Sequence, residues 1–346
     1  MIIISLVTRL VCPCKAVCAN VNYYEQKTTS RSMALQCRNF LKTAKENIGS
    51  ILSGKVKPTG IIDVATVQTL ANQKDWQTQV SRYSMIIVDE CHHAASSQFE
   101  QVLKRYRAKY VLGLSATPNR RDGHQLIVYR QCGPVCYRVN HKKENLSQPI
   151  IHRLEIKETD FVSKNVPKGD KSVTIQDVFK ELLLDEKRNN QIIQDVLTAY
   201  RKGRFCLVLT QRREHIDLLK EALSEVDQLV VLYGSMKTVE CKQDIQKLRS
   251  FNGKGAVLLA TGKLVGEGFN FPGLNTLFLA MPISDRSLLI QYVGRLHRLS
   301  NQKVEVQVVD YCDSHDARLN RMFLKRLKVY SAIGYRSEID DDERLI

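Results

Sequence analysis

The sequence predicts an α/β protein with two parallel β-sheet domains, and three observations support that prediction. From about residue 60 onward, short runs rich in Val, Ile and Leu alternate with segments of helical periodicity, which is typical of β-α-β units. These apolar runs are continuous, so helices are expected to cover both faces of each sheet. The length of 346 residues indicates about two such domains.

The strands are predicted at the apolar runs, and the helices at the amphipathic segments between them. The predicted strands are Met85–Val88, Tyr110–Leu114, Phe205–Leu209, Leu229–Leu232, Ala256–Ala260, Thr276–Ala280 and Val304–Val309. The predicted helices are Ala94–Tyr106, Asn189–Arg201, Arg212–Leu223, Val239–Phe251, Arg286–His297 and Ser314–Tyr330.

The remaining segments are assigned from their composition. Two polar runs, His141–Asn145 and Val166–Lys171, flank an isolated apolar run at Ile150–Ile156, which suggests a connection between domains. The start of the chain shows no clean strand–turn–helix unit, and its end is acidic. The expected divisions are an unassigned segment 1–35, a partial first domain 36–140, a connection 141–188, a second domain 189–335 and an acidic tail 336–346.

The charge balance favours a polyanionic partner. Lys and Arg total 52 against 36 Asp and Glu, which gives a formal net charge of +16. Nucleic acid is the polyanion that fits such a surplus most simply, although a basic proteome or a few solvated faces would also explain it. No stretch approaches the roughly 18 apolar residues of a membrane-spanning helix, so no membrane partner is predicted.

The ten cysteines indicate a reduced, cytoplasmic compartment, because they are scattered along a chain too long to need a disulfide framework. Cys12, Cys14 and Cys18 form a C-P-C-x-x-x-C cluster that resembles half of a zinc site. No second half with Cys or His at zinc spacing follows it. Buried or idle thiols are therefore the preferred interpretation of this cluster.

Two adjacent carboxylates follow the first clear strand, in I-I-V-D-E-C-H at residues 86–92. Ligands of open α/β sheets bind beyond the carboxyl ends of the strands. At such an end, one carboxylate can hold a Mg²⁺ ion on phosphate oxygens while the other orients and deprotonates a water molecule. A solvated acidic strand end would look the same, so this segment alone leaves both interpretations open.

Small hydroxyl side chains end the next strand, in L-G-L-S-A-T-P at residues 112–118. They can form hydrogen bonds with neighbouring carboxylates, but an ordinary strand-to-loop transition has the same composition. A third segment, A-T-G-K-L-V-G-E-G-F-N at residues 260–270, places three glycines after a strand. Such a loop can present backbone N–H groups to phosphates or to a nucleic-acid backbone.

A row of donors lies on one face of a predicted helix. Gln291, Arg295 and Arg298 are spaced i, i+4 and i+7, and two guanidinium groups on one face suit phosphate oxygens. A basic solvated face would have the same pattern. However, Gly294 inside a helix costs about 1 kcal/mol relative to Ala, which suggests that a group packs or binds close to it.

Together and in this order, these segments resemble the motifs of the superfamily 2 helicases and translocases, of the DEAD/DEAH-like and type III restriction-subunit-like kind. The resemblance covers residues 36–335. Residues 63–69 are similar to the family's nucleic-acid-contacting segment, and residues 207–215 stand where motif IV would be. The other matches are motif II at 89–92, motif III at 115–117, motif V at 261–270 and motif VI, Q-x-x-G-R-x-x-R, at 291–298.

The resemblance implies two RecA-like domains that bind ATP and Mg²⁺ between them. Asp89 would hold Mg²⁺, Glu90 would activate the attacking water, and Gln291, Arg295 and Arg298 would contact the phosphates. Single-stranded nucleic acid, DNA in preference to RNA, would run over both domains. The other implied roles are ATP binding by Gly266, Gly268 and Asn270, coupling by His92, Ser115 and Thr117, and nucleic-acid binding by Thr66, Gln68, Thr210 and Thr261.

One part of the family pattern is absent from the sequence, since no segment supplies the phosphate-binding loop G-x-x-x-x-G-K-[ST]. The nearest segment is G-S-I-L-S-G-K-V at residues 49–56, where Val56 replaces the hydroxyl that would bind Mg²⁺. Because this segment also comes too close before Asp89, it is predicted to be a turn. Asn270 is a second departure, since many relatives carry Asp there.

The sequence therefore predicts an incomplete first domain without its P-loop unit, as in a truncated family member with weak or no ATPase activity. Two other functions stay open. A non-catalytic module would use the second domain and the positive charge to bind nucleic acid or a partner protein. A motor subunit would need another polypeptide for turnover.

Overall fold

Two parallel sheets organise the chain, one in each of two compact units, residues 1–138 and 139–346. The computed structural model describes residues 16–20, 44–52, 54–72, 83–92, 97–105, 108–115, 123, 125–140, 150–164, 174–234, 236, 238–251, 255–262, 271–297 and 303–337. Within these ranges, no helix has both the length and the apolar character needed to cross a membrane.

Unit 1 contains a sheet with the strand order β3-β2-β4-β1-β5-β6. All neighbouring strands are parallel except β2 and β3, which form an antiparallel hairpin. The strands are β1 (Ala16–Asn20), β2 (Ile48–Leu52), β3 (Lys55–Lys57), β4 (Ile62–Thr66), β5 (Met85–Asp89) and β6 (Tyr110–Gly113). The helices are a 3-10 turn (Lys45–Asn47), α1 (Val67–Asn72), α2 (Ser97–Arg105) and α3 (Gln125–Cys132).

Unit 2 contains a parallel sheet with the order β13-β7-β12-β11-β8-β10-β9. Its strands are β7 (Ile151–Glu158), β8 (Phe205–Thr210), β9 (Leu229–Leu232), β10 (Ala256–Thr261), β11 (Thr276–Leu279), β12 (Glu305–Cys312) and β13 (Arg336–Ser337). Its helices are α4 (Ile175–Leu184), α5 (Glu186–Arg201), α6 (Arg213–Ala222), α7 (Thr238–Ser250), α8 (Arg286–Gly294) and α9 (Ala317–Ala332).

The continuous apolar strands of unit 2 are explained by a core on each face of the sheet. Leu207 and Leu209 of β8 belong to one core, while Cys206 and Val208 belong to the other. Because successive side chains of a strand point to opposite faces, a sheet with two covered faces needs an apolar residue at every position. The predicted α/β class with helix-covered parallel sheets is therefore confirmed.

Acidic or hydroxyl side chains begin four helices of unit 2. Asp285 caps α8, where its Oδ1 accepts hydrogen bonds from the backbone N–H groups of Ser287 (2.7 Å) and Leu288 (3.1 Å). Such a cap satisfies donors that the first helical turn leaves unpaired. The same role is filled by Thr174 at α4, Asp185 at α5 and Asp316 at α9.

Three segments differ from the expectations. The unassigned start of the chain contributes β1, which pairs with β4 on one side and β5 on the other. The apolar run assigned to a connection is β7, paired along its length with β12, so the connection proposed for 141–188 is wrong at this point. The first two residues of the predicted acidic tail form β13 beside β7. Each difference comes from strand pairing with distant residues, which local composition does not reveal.

The segment closest to a phosphate-binding loop is a β-hairpin. Its strands β2 and β3 pair antiparallel, with Ser50 opposite Lys57, and Gly54 lies between them with a φ of 72°. The turn predicted over residues 49–56 is therefore limited to the link around Gly54, and the rest of the described segment is strand. Gly49 has a packing role, because a Cβ atom there would lie 1.7 Å from Asp63 Oδ1.

Candidate functional site

The predicted catalytic carboxylates lie in a strained turn at the end of β5, which we call the motif II turn (residues 89–92). Glu90 has a φ of 51°, a left-handed conformation that costs a non-glycine residue about 1–3 kcal/mol. Two backbone hydrogen bonds to the neighbouring strand hold it, from Leu114 N–H to Val88 O and from Cys91 N–H to Leu114 O, both 2.8 Å. Strain of this kind is concentrated at functional sites.

The electrostatics of the motif II turn favour binding of a cation. Burial, and then the negative charge of Glu90, raises the pKa of Asp89 to about 6, although the Glu90 N–H donates to Asp89 Oδ1 at 3.1 Å. Glu90 Oε2 is buried without a hydrogen-bond donor among the described residues, and His92 Nδ1 lies 3.2 Å from it. A divalent cation favours such oxygen ligands and would relieve the repulsion between them, so these residues fit Mg²⁺.

A hydrogen bond joins the motif II turn to the predicted coupling segment. His92 Nδ1 lies 2.9 Å from Ser115 Oγ, just beyond the end of β6. A change in the position of Ser115 would therefore reach the histidine two residues from Glu90. Thr117, the other predicted coupling residue, lies outside the described residues.

In unit 2, the predicted phosphate-contacting residues lie on and just after α8. Gln291 and Arg295 are half-buried, while Leu289 and Val293 anchor the other face of the helix in the core. A Cβ atom on the exposed Gly294 would meet nothing within 4 Å. None of the described residues packs against this glycine, so the prediction that a group packs or binds close to it stays open only for a bound group. Arg298 lies outside them.

The end of β10 contacts the same helix. A Cβ atom on Gly262 would lie 2.1 Å from the hydroxyl oxygen of Tyr292, so only glycine fits at this position without displacing that side chain. Thr261, a predicted nucleic-acid ligand, immediately precedes Gly262, and Tyr292 immediately follows Gln291. This contact joins a predicted nucleic-acid-binding strand end to the predicted phosphate-binding helix. Gly266, Gly268 and Asn270 lie outside the described residues.

Thr210 ends β8 opposite Thr261 in the strand register and begins a buried polar chain. Its hydroxyl lies 3.0 Å from His215 Nδ1, and His215 Nε2 lies 3.1 Å from Asn189 Oδ1. Burial, and then the positive charge of Arg188, lowers the pKa of His215 to about 3, so the imidazole is neutral at physiological pH. The hydroxyl of Thr210 thus forms a hydrogen bond inside unit 2, which the sequence motif did not indicate.

The two predicted nucleic-acid ligands of unit 1 lie where β4 meets α1. Thr66 is buried, and its hydroxyl lies 2.7 Å from that of Thr69. Gln68 is half-buried, and its Oε1 atom has no hydrogen-bond donor among the described residues. Because this oxygen is also buried from solvent, an incoming ligand would reach it only after the residues that cover it move.

Sequence reasoning missed His215, Asn189 and Tyr292, each of which supports a predicted site residue. Local sequence contained no signal for the Asn189–His215 contact, because the two residues come from different helices. Tyr292 lies inside the motif VI segment, but only the fold shows that it meets Gly262. Cys12 and Cys14 lie outside the described residues, and Cys18 lies in β1.

Comparison with protein families identifies the two units. The model of the "Type III restriction enzyme, res subunit" family matches residues 21–120, and that of the "Helicase conserved C-terminal domain" family matches residues 188–300. The chain belongs to the superfamily 2 helicases. Within them it is of the type III restriction-subunit-like kind, as the motifs predicted.

Two viral proteins are among the similar relatives of this helicase chain. The probable helicase D10 of Escherichia phage T5 is 26% identical over 294 residues, which cover 84% of the chain and 61% of the relative. The ATP-dependent DNA helicase uvsW of Enterobacteria phage T4 is 24% identical over 308 residues, 86% of the chain and 59% of the relative. The chain therefore spans less than two thirds of the length of either relative.

Solved structures share the RecA-like helicase fold. A fragment assigned to the HsdR subunit of a type I restriction enzyme from Vibrio vulnificus YJ016 matches 94% of the chain and 57% of its own, with a TM-score of 0.63 and 16% identity. S. cerevisiae Dbp5 bound to RNA and ADP BeF3 matches 95% of the chain and 79% of its own, with a TM-score of 0.56 and 13% identity.

Proposed function

We propose that this chain is the motor region of an ATP-dependent helicase or translocase that acts on nucleic acid. The observation that carries the proposal is the motif II turn, where Asp89 and Glu90 lie side by side at the end of β5. Glu90 has a strained backbone, and burial next to Glu90 raises the pKa of Asp89. Family membership supports ATP and Mg²⁺ as the ligands of this turn.

Each predicted residue has a distinct chemical role in the proposed reaction. Bound Mg²⁺ supplies charge neutralisation on the phosphate oxygens, and Asp89 is the residue that would hold it. Glu90 orients the attacking water and takes its proton. Gln291, Arg295 and Arg298 stabilise the negative charge that develops on the transferred phosphoryl group.

The proposed nucleic-acid ligands lie at the carboxyl ends of strands in both units. Thr66 ends β4 and Gln68 lies in the first turn of α1, whereas Thr210 and Thr261 end neighbouring strands of the second sheet. The net charge of +16 supports a polyanionic strand as the partner, with DNA proposed in preference to RNA. In this proposal, Gly266, Gly268 and Asn270 contribute to the nucleotide site, and His92, Ser115 and Thr117 couple the two ligands.

The decisive experiment measures ATP turnover by the purified chain with and without single-stranded DNA. DNA-stimulated turnover in the wild type that falls at least about 100-fold in Glu90→Gln would support the proposal, because a general base contributes about 10²–10⁴-fold. Glu100→Gln is the matched control, since Glu100 lies on α2 and pairs with Lys104 at the surface. Equal turnover in wild type and Glu90→Gln would contradict the proposed role of Glu90.

A second function is favoured by one observation, that no G-x-x-x-x-G-K-[ST] segment occurs in the sequence. A chain without this loop would bind nucleic acid or a partner without hydrolysing ATP by itself. Salt-sensitive affinity for DNA with no turnover would support a binding module. Turnover that begins only when another polypeptide is added would support a motor subunit.

A further inference from the structure

Two cysteine sulfur atoms meet next to the motif II turn. Cys91 belongs to that turn, and Cys132 is the last residue of α3. A Cβ atom on Gly113 would lie 3.1 Å from Cys91 Sγ and 3.2 Å from Cys132 Sγ. The missing side chain of Gly113 therefore leaves the space that the two sulfur atoms share.

The two sulfur atoms approach each other at one point. Both lie within 3.2 Å of the position that a Cβ atom on Gly113 would take, and the two thiol groups interact directly there. Two thiols this close resemble the cysteine pairs in which one sulfur attacks an oxidant and the other resolves the product.

Accessibility also differs between the two residues. Cys91 is 6% exposed, whereas Cys132 is partly exposed at the end of its helix. A small oxidant can therefore approach the pair from the Cys132 side, while larger reagents are hindered at Cys91.

We propose that Cys91 and Cys132 form a reversible disulfide when the protein meets a small peroxide, and that this bond fixes the motif II turn to α3. Nothing in the proposed ATPase chemistry uses either sulfur atom, so the pair is a separate modification site. Its effect on turnover rests on the proposed function, but formation of the bond does not.

The proposed reaction with hydrogen peroxide is balanced. One sulfur of the pair, as its thiolate, attacks one peroxide oxygen and the O–O bond breaks, which gives a sulfenic acid and hydroxide. The other sulfur then attacks the sulfur of the sulfenic acid, so an S–S bond forms, the S–O bond breaks and a second hydroxide leaves. The two thiol protons convert both hydroxides to water, two sulfur atoms are oxidised, and the peroxide is reduced. A dithiol reductant reverses the reaction by thiol–disulfide exchange.

The test is mass spectrometry of tryptic peptides from the full chain after peroxide treatment, denaturation and alkylation of the remaining thiols. Cys91 lies in the peptide Tyr83–Lys104 and Cys132 in the peptide Gln131–Arg138. We expect these two peptides to be linked in the wild type and to separate after addition of dithiothreitol.

Cys136 provides a matched control, because it lies in the same tryptic peptide as Cys132 but is exposed. The linked peptide should persist in Cys136→Ser and disappear in Cys132→Ser. A wild-type chain whose Cys91 is fully alkylated after peroxide, or is linked to Cys136, would overturn the proposal. Because the wild type alone can give that answer, the test does not depend on the folding of any variant.

A parallel ATPase measurement separates the two proposals. Linked peptide together with a peroxide-sensitive, dithiothreitol-reversible loss of turnover would support both. Linked peptide in a chain with no turnover under any condition would leave the disulfide standing and overturn only the ATPase.

Discussion

Asp310 in β12 and Asp89 at the end of β5 differ in whether a positive side chain compensates their charge. Asp310 of β12 accepts hydrogen bonds from Arg326 Nε at 2.7 Å and from Arg326 Nη2 at 2.8 Å, in a buried bidentate ion pair. Among the described residues, Asp89 of β5 accepts a hydrogen bond only from the adjacent Glu90 N–H, and no lysine or arginine pairs with Asp89 or Glu90. Within these residues, one carboxylate is paired with an arginine and the other is not.

Asp313 in unit 2 is also buried and, like Asp310, is paired with an arginine. Asp313 accepts hydrogen bonds from Arg188 Nε at 2.7 Å and from the Thr159 hydroxyl at 2.6 Å. Arg188 also donates to the Ala280 carbonyl at 2.7 Å. The difference teaches that burial alone does not mark a functional carboxylate. The distinguishing feature is a buried acid beside which the described residues place no lysine or arginine.

The largest expected change in stability comes from breaking the buried Asp310–Arg326 ion pair. Asp310→Ala should lower the free energy of unfolding of unit 2 by about 3–5 kcal/mol, because it leaves the Arg326 guanidinium buried without its partner. Hydrogen exchange of α9 and β12, followed by mass spectrometry, reports on unit 2 separately from unit 1. Asp217→Ala is the control, since Asp217 is exposed and lies 3.9 Å from Arg213. Equal exchange in both variants would show that the buried pair does not stabilise unit 2.

Removal of the Asp89 carboxylate is expected to raise the free energy of unfolding, whereas removal of the Asp310 carboxylate lowers it. Its folded-state pKa of about 6 lies above the ordinary value of 3.8, so the folded state binds the proton more tightly than the unfolded state. The stability that Asp89 contributes is therefore lost as pH rises from about 4 to about 6. Asp89→Asn should raise the free energy of unfolding of unit 1 by up to about 3 kcal/mol at pH 7.5, and should have no such effect at pH 4.

Hydrogen exchange of β4 and β5, followed by mass spectrometry, can measure this change, because it reports on unit 1 separately from unit 2. Added Mg²⁺ should stabilise the wild type more than Asp89→Asn, because only the wild type offers that carboxylate to the ion. A loss of stability in Asp89→Asn at pH 7.5 would place Asp89 with Asp310, as a structural carboxylate.

The sequence alone predicted those strands and strand ends that are determined by residues within one short segment. The strand over 229–232 was predicted with its observed limits, and Asp89, Glu90, His92 and Ser115 were assigned from two short motifs whose ends the fold brings together. The acidic strand end could be recognised because the order of residues in the chain determines it directly.

The rest required contacts between distant residues. The β1 strand has the short, mixed sequence A-V-C-A-N, and only pairing with β4 and β5 makes it a central strand. The β7 strand alternates exposed and buried residues and joins its sheet through β12, about 150 residues later along the chain. For the same reason, the Cys91–Cys132 pair and the contact of Gly262 with Tyr292 could not be inferred from either residue alone.

The smallest expected change in stability is at the Gly262–Tyr292 contact, which involves no charged side chain. Gly262→Ala should cost about 1 kcal/mol of stability in unit 2, because the new methyl group would meet the Tyr292 hydroxyl, which can shift only by moving its ring. Tyr292→Phe removes that oxygen and should restore part of the loss in the double variant. Hydrogen exchange of α8 in the four chains of this double-mutant cycle measures the coupling between the two residues. If the contact also positions Gln291 and Arg295, Gly262→Ala should reduce DNA-stimulated turnover even under conditions where unit 2 stays folded. The double variant should then recover part of both the turnover and the stability. Additive effects of the two substitutions would show that β10 and α8 act independently.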